Sequence, residues 1–249
     1  RNNFSAPIFI TLFLLLASPS TFGAFWQHAL QSDEVVQLQN GTAQTDASGK
    51  TQVRVQAWVY ERERRLGART LFARYLGLDL DTLTAPERVA FNERTALFLI
   101  DVQKNKRLTL STRDGSQIPL AKTDQYGATN ERVTVPTDAQ NSLWVNYSVQ
   151  GPVEKFAGRA LHVPNQGISI VSDVDDTIRM TNVLNKQEML MNTFVRPLKA
   201  VPGMASLYQQ ANARPGVRIH YVSNAPYALY PLVEQFLHNA QFPEGSMHL

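Results

Sequence analysis

The stretch ISIVSDVDDTIRMTNV, residues 168–183, decides the fold. Apolar residues at Ile168, Ile170 and Val171 lead directly into Asp173, Asp175 and Asp176. A short apolar run that stops at a polar turn reads as a strand. Downstream, helical patterns over 185–194, 204–213 and 229–239 bracket a second apolar strand over 217–223. Strand–helix–strand order with continuous apolar strands predicts a parallel sheet, and such sheets carry their chemistry at the carboxyl ends of the strands.

Upstream the character differs. Over 51–61, TQVRVQAWVYE, the residues Val53, Val55, Ala57 and Val59 alternate with Gln52, Arg54, Gln56 and Trp58, the period of a half-buried strand. A Thr-Asp turn closed by glycine precedes it (Thr45, Asp46, Gly49) and recurs at Thr123, Asp124 and Gly127, ahead of an alternating segment at 132–135. Together with strands expected at 33–38, 97–102, 107–111 and 142–149, these hairpin signals predict an antiparallel, sandwich-like sheet. A helical pair interrupts it. Its second helix opens on Thr84-Ala85-Pro86-Glu87, a capping-box pattern, and packing is its expected role. The Gly- and Pro-containing stretch 152–167 reads as a connector. The expected fold is therefore an α+β, sandwich-like domain with a helical insert over 25–150, followed by an α/β parallel-sheet domain over 151–249, with no catalytic cluster before residue 160.

Asp173 and Asp175 are two apart, so in extended backbone their side chains point the same way, with α-carbons roughly 7 Å apart. Two like charges that close call for a cation, and a hard, oxygen-preferring ion such as Mg²⁺, held by Asp173 and Asp175, is the natural one. Phosphoryl transfer then gives each acid a task. Asp173 attacks phosphorus as a nucleophile, and Asp175 acts as general acid and then general base. Thr177 is expected to hold Asp175 in place, and Asp176 to fix the loop or face solvent. The strand over 217–223 ends in Ser223-Asn224, whose hydroxyl and amides suit the gripping of phosphate oxygens. The competing readings are an acidic Asx-rich turn or a calcium loop for the aspartates, and a plain strand cap for Ser223. An EF-hand is disfavoured, because the required glycine and later glutamate offsets are missing.

Composition bounds the rest. Hydrophobic residues make up 43% and charged residues 18% of 249, an ordinary globular balance. The net charge of +3 is spread along the chain rather than packed into a block, which argues against nucleic acid as a partner. The absence of cysteine excludes thiol catalysis and disulfides. The apolar run over 7–17, followed by small residues, predicts a secretory signal over 1–24 and hence export to a periplasm or the exterior. An uncleaved anchor or a buried helix is the competing reading.

The Asp-x-Asp-x-Thr run after a strand, followed by a strand-end Ser223, resembles the haloacid dehalogenase superfamily of phosphohydrolases. More narrowly, SDVDDTI with Thr181, NTFVRPLKAVPGMASLY and HYVSNAPYALYP are similar to the catalytic domain of the fungal actin-patch phosphatidate phosphatases and their bacterial relatives. The resemblance runs from about residue 151 to the last residue. It implies a Rossmann-like catalytic domain and Mg²⁺-dependent hydrolysis of phosphatidate to diacylglycerol. By it, Asp173 is nucleophile and metal ligand, Asp175 general acid/base and Ser223 phosphate binder. That superfamily also uses a later lysine and further acids. Only 26 residues follow Ser223, without Lys or Asp, and Glu234 and Glu244 are their only acids. The chain is therefore expected to stop inside the domain and to turn over poorly by itself. The short interval between the two strands leaves no room for a large cap, so an open site is expected to favour bulky or membrane-bound substrates, with peripheral membrane contact. Another phosphomonoester is the alternative substrate. An exported protein that binds a divalent ion or a surface ligand without catalysis is the alternative class.

Overall fold

A computed structural model describes residues 28–61, 68–136 and 142–249. The signal expected over 1–24 lies outside the described residues. The first half forms β1 (Glu34–Leu38), β2 (Gly41–Thr45), β3 (Thr51–Glu61), β4 (Thr109–Thr112), β5 (Gln117–Pro119), β6 (Ala128–Val135), β7 (Trp144–Gln150) and β8 (Lys155–His162). They make one continuous sheet in the order β1-β3-β2-β8-β7-β4-β5, with β6 on the other edge of β3. All pairs are antiparallel except β2–β8. The expected sandwich is thus a single sheet that folds over, since Val53 and Val55 of β3 share a core with Leu110 of β4 and Val149 of β7.

Both glycine turns form, each around an aspartate. Asp46 Oδ1 accepts from the backbone N–H of Ser48 and Lys50 at 2.9 and 3.0 Å, which closes the β2–β3 hairpin. Asp124 Oδ1 accepts from Tyr126 and Ala128 at 2.8 and 3.0 Å. Gly127 there has φ +74°, and a Cβ would stand 2.7 Å from the carbonyl oxygen of Val59. That turn feeds β6 onto β3.

Three expectations are corrected. The stretch 97–102 is not a strand: a 3₁₀ turn spans Ala96–Phe98, and only Val102 bridges to Tyr60. Phe98 and Leu99 are drawn into a helical cluster instead, and an apolar run this short carries no period to tell strand from helix. The connector over 152–167 contains β8. Its glycine is a packing requirement, because a Cβ on Gly158 would run into the Tyr147 ring and stand 2.9 Å from Leu38. Finally, β3 is not half-exposed throughout: Gln56 and Trp58 are buried along with Val55, Ala57 and Val59, because a second layer covers that face.

The second layer is the C-terminal part: β9 (Ile168–Asp173), α3 (Lys186–Phe194), α4 (Met204–Asn212), β10 (Val217–Val222), α5 (Tyr230–Asn239) and β11 (Ser246–His248). Its three strands are parallel, in the order β11-β10-β9. The helical pair, α1 (Ala68–Leu76) and α2 (Ala85–Thr95), packs between the layers. Phe72 of α1, Phe98 and Phe194 of α3 stack edge to face or tilted, with centroids 5.4 to 6.0 Å apart, each pair adding about 1 kcal/mol beyond area burial. Trp58, Ala228 and Leu229 join the same cluster. The capping box of α2 forms, with Glu87 accepting from Thr84 N and Oγ1 at 2.9 and 2.7 Å. Among the described residues no helix is long and apolar enough to cross a membrane.

Candidate active site

β9 and β10 run in parallel register, Val222 opposite Asp173, so their carboxyl ends open side by side. Beyond β9 the chain makes a tight turn rooted in the core. Val174 and Ile178 are fully buried, and the N–H groups of Ile178 and Arg179 both reach the Val174 carbonyl at 3.0 Å. Burying these two side chains on one side of the turn forces the polar residues between them outward. Asp176, at φ +60°, sits where the turn reverses, a conformation Asp tolerates better than most residues.

Asp173 is exposed, and its Oδ2 accepts a hydrogen bond from Thr177 Oγ1 at 3.1 Å. The main chain beneath it is pinned, because Ser172 Oγ donates to the Asp173 carbonyl at 2.7 Å and accepts from the Tyr208 hydroxyl at 2.8 Å. Asp175 is differently placed. Its Oδ1 accepts from Arg179 Nη2 at 2.5 Å and Nε at 3.1 Å, and from Thr181 Oγ1 at 2.6 Å. Its Oδ2 has the Ser223 hydroxyl at 3.3 Å. The structure thus corrects the role expected of Thr177, which holds Asp173. Asp175 is held by Arg179, Thr181 and Ser223.

Arg179 escaped the sequence reading. It is 2% exposed, yet it ends the motif's apolar stretch as an ordinary basic residue would. The available signal was a cation four residues after Asp175 and one after a buried isoleucine. Its guanidinium places a positive charge beside Asp175. Behind it stands Arg94 of α2, held below its ordinary range by burial and by the charge of Arg179. Arg94 Nη1 donates to the carbonyls of Thr193 and Arg196 at 3.2 and 2.6 Å. The helical insert therefore braces the back of the site.

Asp176 fixes the loop, one of the two roles expected of it. Its Oδ1 accepts from the N–H of Thr181 and Asn182 at 2.8 and 2.5 Å, and its Oδ2 from Val183 at 2.7 Å. Burial pushes its carboxyl up, but these three backbone bonds and the nearby Arg179 outweigh that and hold it below the usual carboxylate range. Thr181, positioned in this way, completes the grip on Asp175.

Ser223 is buried at the end of β10. Its N–H reaches the His248 carbonyl at 2.9 Å, and its Oγ accepts from Ala225 N at 3.1 Å. Asn224, the next residue, is exposed. His162 and His220 lie away from the aspartates. His220 bonds Ser246 and Ser169 at 2.7 and 3.1 Å, as a packing residue would.

Among the described residues no three His, Cys, Asp or Glu side chains converge as a metal site. Mg²⁺ needs less than that: it keeps several waters and binds through one or two carboxylates and the substrate's phosphate. The exposed carboxylate of Asp173 fits that mode of binding. The carboxylate of Asp175, expected as a second ligand, is engaged on both oxygens.

Residues 168–249, which contain Asp173, Asp175, Asp176, Arg179, Thr181 and Ser223, match the family model described as phosphatidate phosphatase APP1, catalytic domain. The chain is 31% identical over 136 residues to phosphatidate phosphatase APP1 of Saccharomyces cerevisiae, a match covering 51% of this chain and 22% of the yeast protein. It is 26% identical over 129 residues to an uncharacterized protein of Schizosaccharomyces pombe, covering 51% of this chain and 20% of that one. The chain spans about a fifth of the length of these curated relatives. The segment from β9 to β11, with Asp173, Asp175 and Ser223, is similar to an APP1-type catalytic domain.

Proposed function

We propose that the protein is a phosphatase that hydrolyses phosphatidate, or a kindred phosphomonoester, through phosphorylation of Asp173. One observation carries the reading. An exposed carboxylate and an oriented one stand at the mouth of adjacent parallel strands, beside a strand-end hydroxyl, in the segment similar to a phosphatidate phosphatase catalytic domain.

The two aspartates have different freedoms, and these suit different tasks. Asp173, held through Oδ2 by Thr177, is the nucleophile: a carboxylate oxygen bonds to phosphorus as the bond from phosphorus to the ester oxygen breaks. Asp175 has its Oδ1 fixed by three donors and its Oδ2 loosely engaged by Ser223. Oδ2 is therefore the atom that delivers a proton to the departing alkoxide. It then takes a proton from the water that cleaves the aspartyl-phosphate, which releases phosphate and restores Asp173. Ser223 and the exposed Asn224 face the transferred phosphate, and Arg179 keeps Asp175 oriented. A Mg²⁺ ion held by Asp173 would offset the negative charge that gathers as the carboxylate meets the phosphate. The same reading includes export, through the apolar run over 7–17.

The test is release of phosphate by the full-length protein from phosphatidate vesicles and from soluble phosphomonoesters, with and without Mg²⁺. Asp173→Asn is expected to abolish release, and equal release by that variant removes Asp173 from its role.

A further inference from the structure

We infer that the loop over 180–184 is a lipid-docking tip that seats the site on an anionic phospholipid bilayer. The inference rests on the proposed substrate class and adds the surface by which the substrate is met.

The tip is apolar where a soluble loop would be polar. Met180 is 49% exposed, Val183 45% and Leu184 86%. Single exposed apolar residues are ordinary, but three within five residues at a loop tip, next to a reactive centre, form a patch. The tip is also held rigid. Asp176 takes the N–H groups of Thr181, Asn182 and Val183. The Asn182 carbonyl accepts from Asn185 N at 3.1 Å, and the Thr181 carbonyl from Asn192 Nδ2 at 3.1 Å.

This bonding pattern points to lipid. A loop that enters an interface of low water content must satisfy its backbone internally. Here the N–H groups of Met180, Thr181, Asn182 and Val183 and the carbonyls of Thr181 and Asn182 are bonded within the protein while the apolar side chains are exposed, so the tip enters an interface with these backbone groups already paired. The flanks are cationic: Lys186 follows the tip, and Lys199 lines the groove beneath it with Met180, Leu184 and Asp176. The cation of that groove next to Glu188, Arg196, is already paired with it at 2.5 Å, which leaves the two lysines to meet headgroups. Asp176 adjoins Asp175, so a bilayer seated on the tip presents phosphomonoesters to the catalytic carboxylates.

The chain lacks cysteine, so Leu184→Cys and, as a remote control, Val153→Cys each carry a single environment-sensitive fluorophore. Val153, 73% exposed, lies in the β7–β8 turn. The vesicles are phosphatidylcholine with and without phosphatidate, some with a quencher on the acyl chains. The expected result is a blue shift and acyl-chain quenching at position 184 with phosphatidate vesicles, and neither at 153. Leu184→Asp is expected to lower vesicle partitioning about tenfold, one leucine's transfer, and to leave hydrolysis of a soluble ester unchanged. A 184 reporter that stays solvated on vesicle-bound protein overturns the inference. So does a shift without vesicles that grows with protein concentration, which would make a second copy the occupant. Phosphate release by the full-length protein in the same samples separates the readings: insertion without hydrolysis removes the phosphatase and leaves the docking tip, and hydrolysis without insertion does the reverse.

Discussion

The carboxylate of Asp176 holds three consecutive amides, and replacing it in graded steps dissects the loop. Hydrogen bonds to a charged acceptor contribute about 1.5–3 kcal/mol when buried. Asp176 is largely in solvent, so about 1 kcal/mol each is the fitting scale. Asp176→Asn keeps an oxygen in the Oδ1 position, where Thr181 and Asn182 donate, and loses the Val183 bond and the charge, at a cost of about 1 kcal/mol. Asp176→Gly loses all three bonds but accepts φ +60° freely, at about 2–3 kcal/mol. Asp176→Ala loses the bonds and adds the left-handed penalty of an ordinary residue, about 1 kcal/mol more. Hydrogen exchange of the amides of 181–183 reads this directly, with each 1.4 kcal/mol a tenfold loss of protection. The expected order of loss is Asn, then Gly, then Ala. Acid supplies an independent arm. The folded-state pKa of Asp176 is depressed, so its contribution is complete above the unfolded value of about 3.9 and disappears as pH falls through the lower folded one. Equal protection in the Gly and Ala variants, or an Asn variant as weak as Ala, would refute the assignment.

Other consequences follow from the same contacts. Arg179→Met strands the carboxylate of Asp175 and is expected to cost about 3 kcal/mol in urea unfolding and to lower kcat with KM little changed; Arg179→Lys, lacking the fork, recovers only part. A Gly158→Ala variant drives a Cβ into the Tyr147 ring, and its melting temperature should fall by the equivalent of about 2 kcal/mol; an unchanged melting temperature would mean the close approach of β7 and β8 is not real. Burial, then the charges of Arg54 and His220, pushes the His248 imidazole down to about 4. It stays neutral in the folded protein while the unfolded chain protonates near 6.5, so stability falls as pH drops from about 6.5 to about 4. His248→Gln should flatten that slope in a pH series of unfolding midpoints.

The site was legible in the sequence to an uneven degree. Strand β9 and its terminal aspartates stood out because the apolar run and the carboxylates abut, and β10 with Ser223 followed from the same logic. The grip on Asp175 was not legible. It comes from Arg179 and Thr181, brought back by a turn whose curvature depends on the burial of Val174 and Ile178 and on the positive φ of Asp176, none of which has a period. In the first half, hairpin glycines gave the antiparallel character, whereas Gly158 misled. A glycine that lets a tyrosine ring cross a strand looks, one-dimensionally, like a break. The double burial of Gln56 and Trp58 depends on α1, α2 and the 227–229 turn closing over β3, contacts between residues far apart in the chain.

The central claim is that phosphate passes through the side chain of Asp173. Acid-quenched protein, caught within a single turnover of phosphatidate and reduced with borohydride, should carry its modification on the peptide that contains Asp173, and the mark should vanish in Asp173→Asn. A mark on Asp175, on Ser223, or on no residue while phosphate is still released would contradict the account.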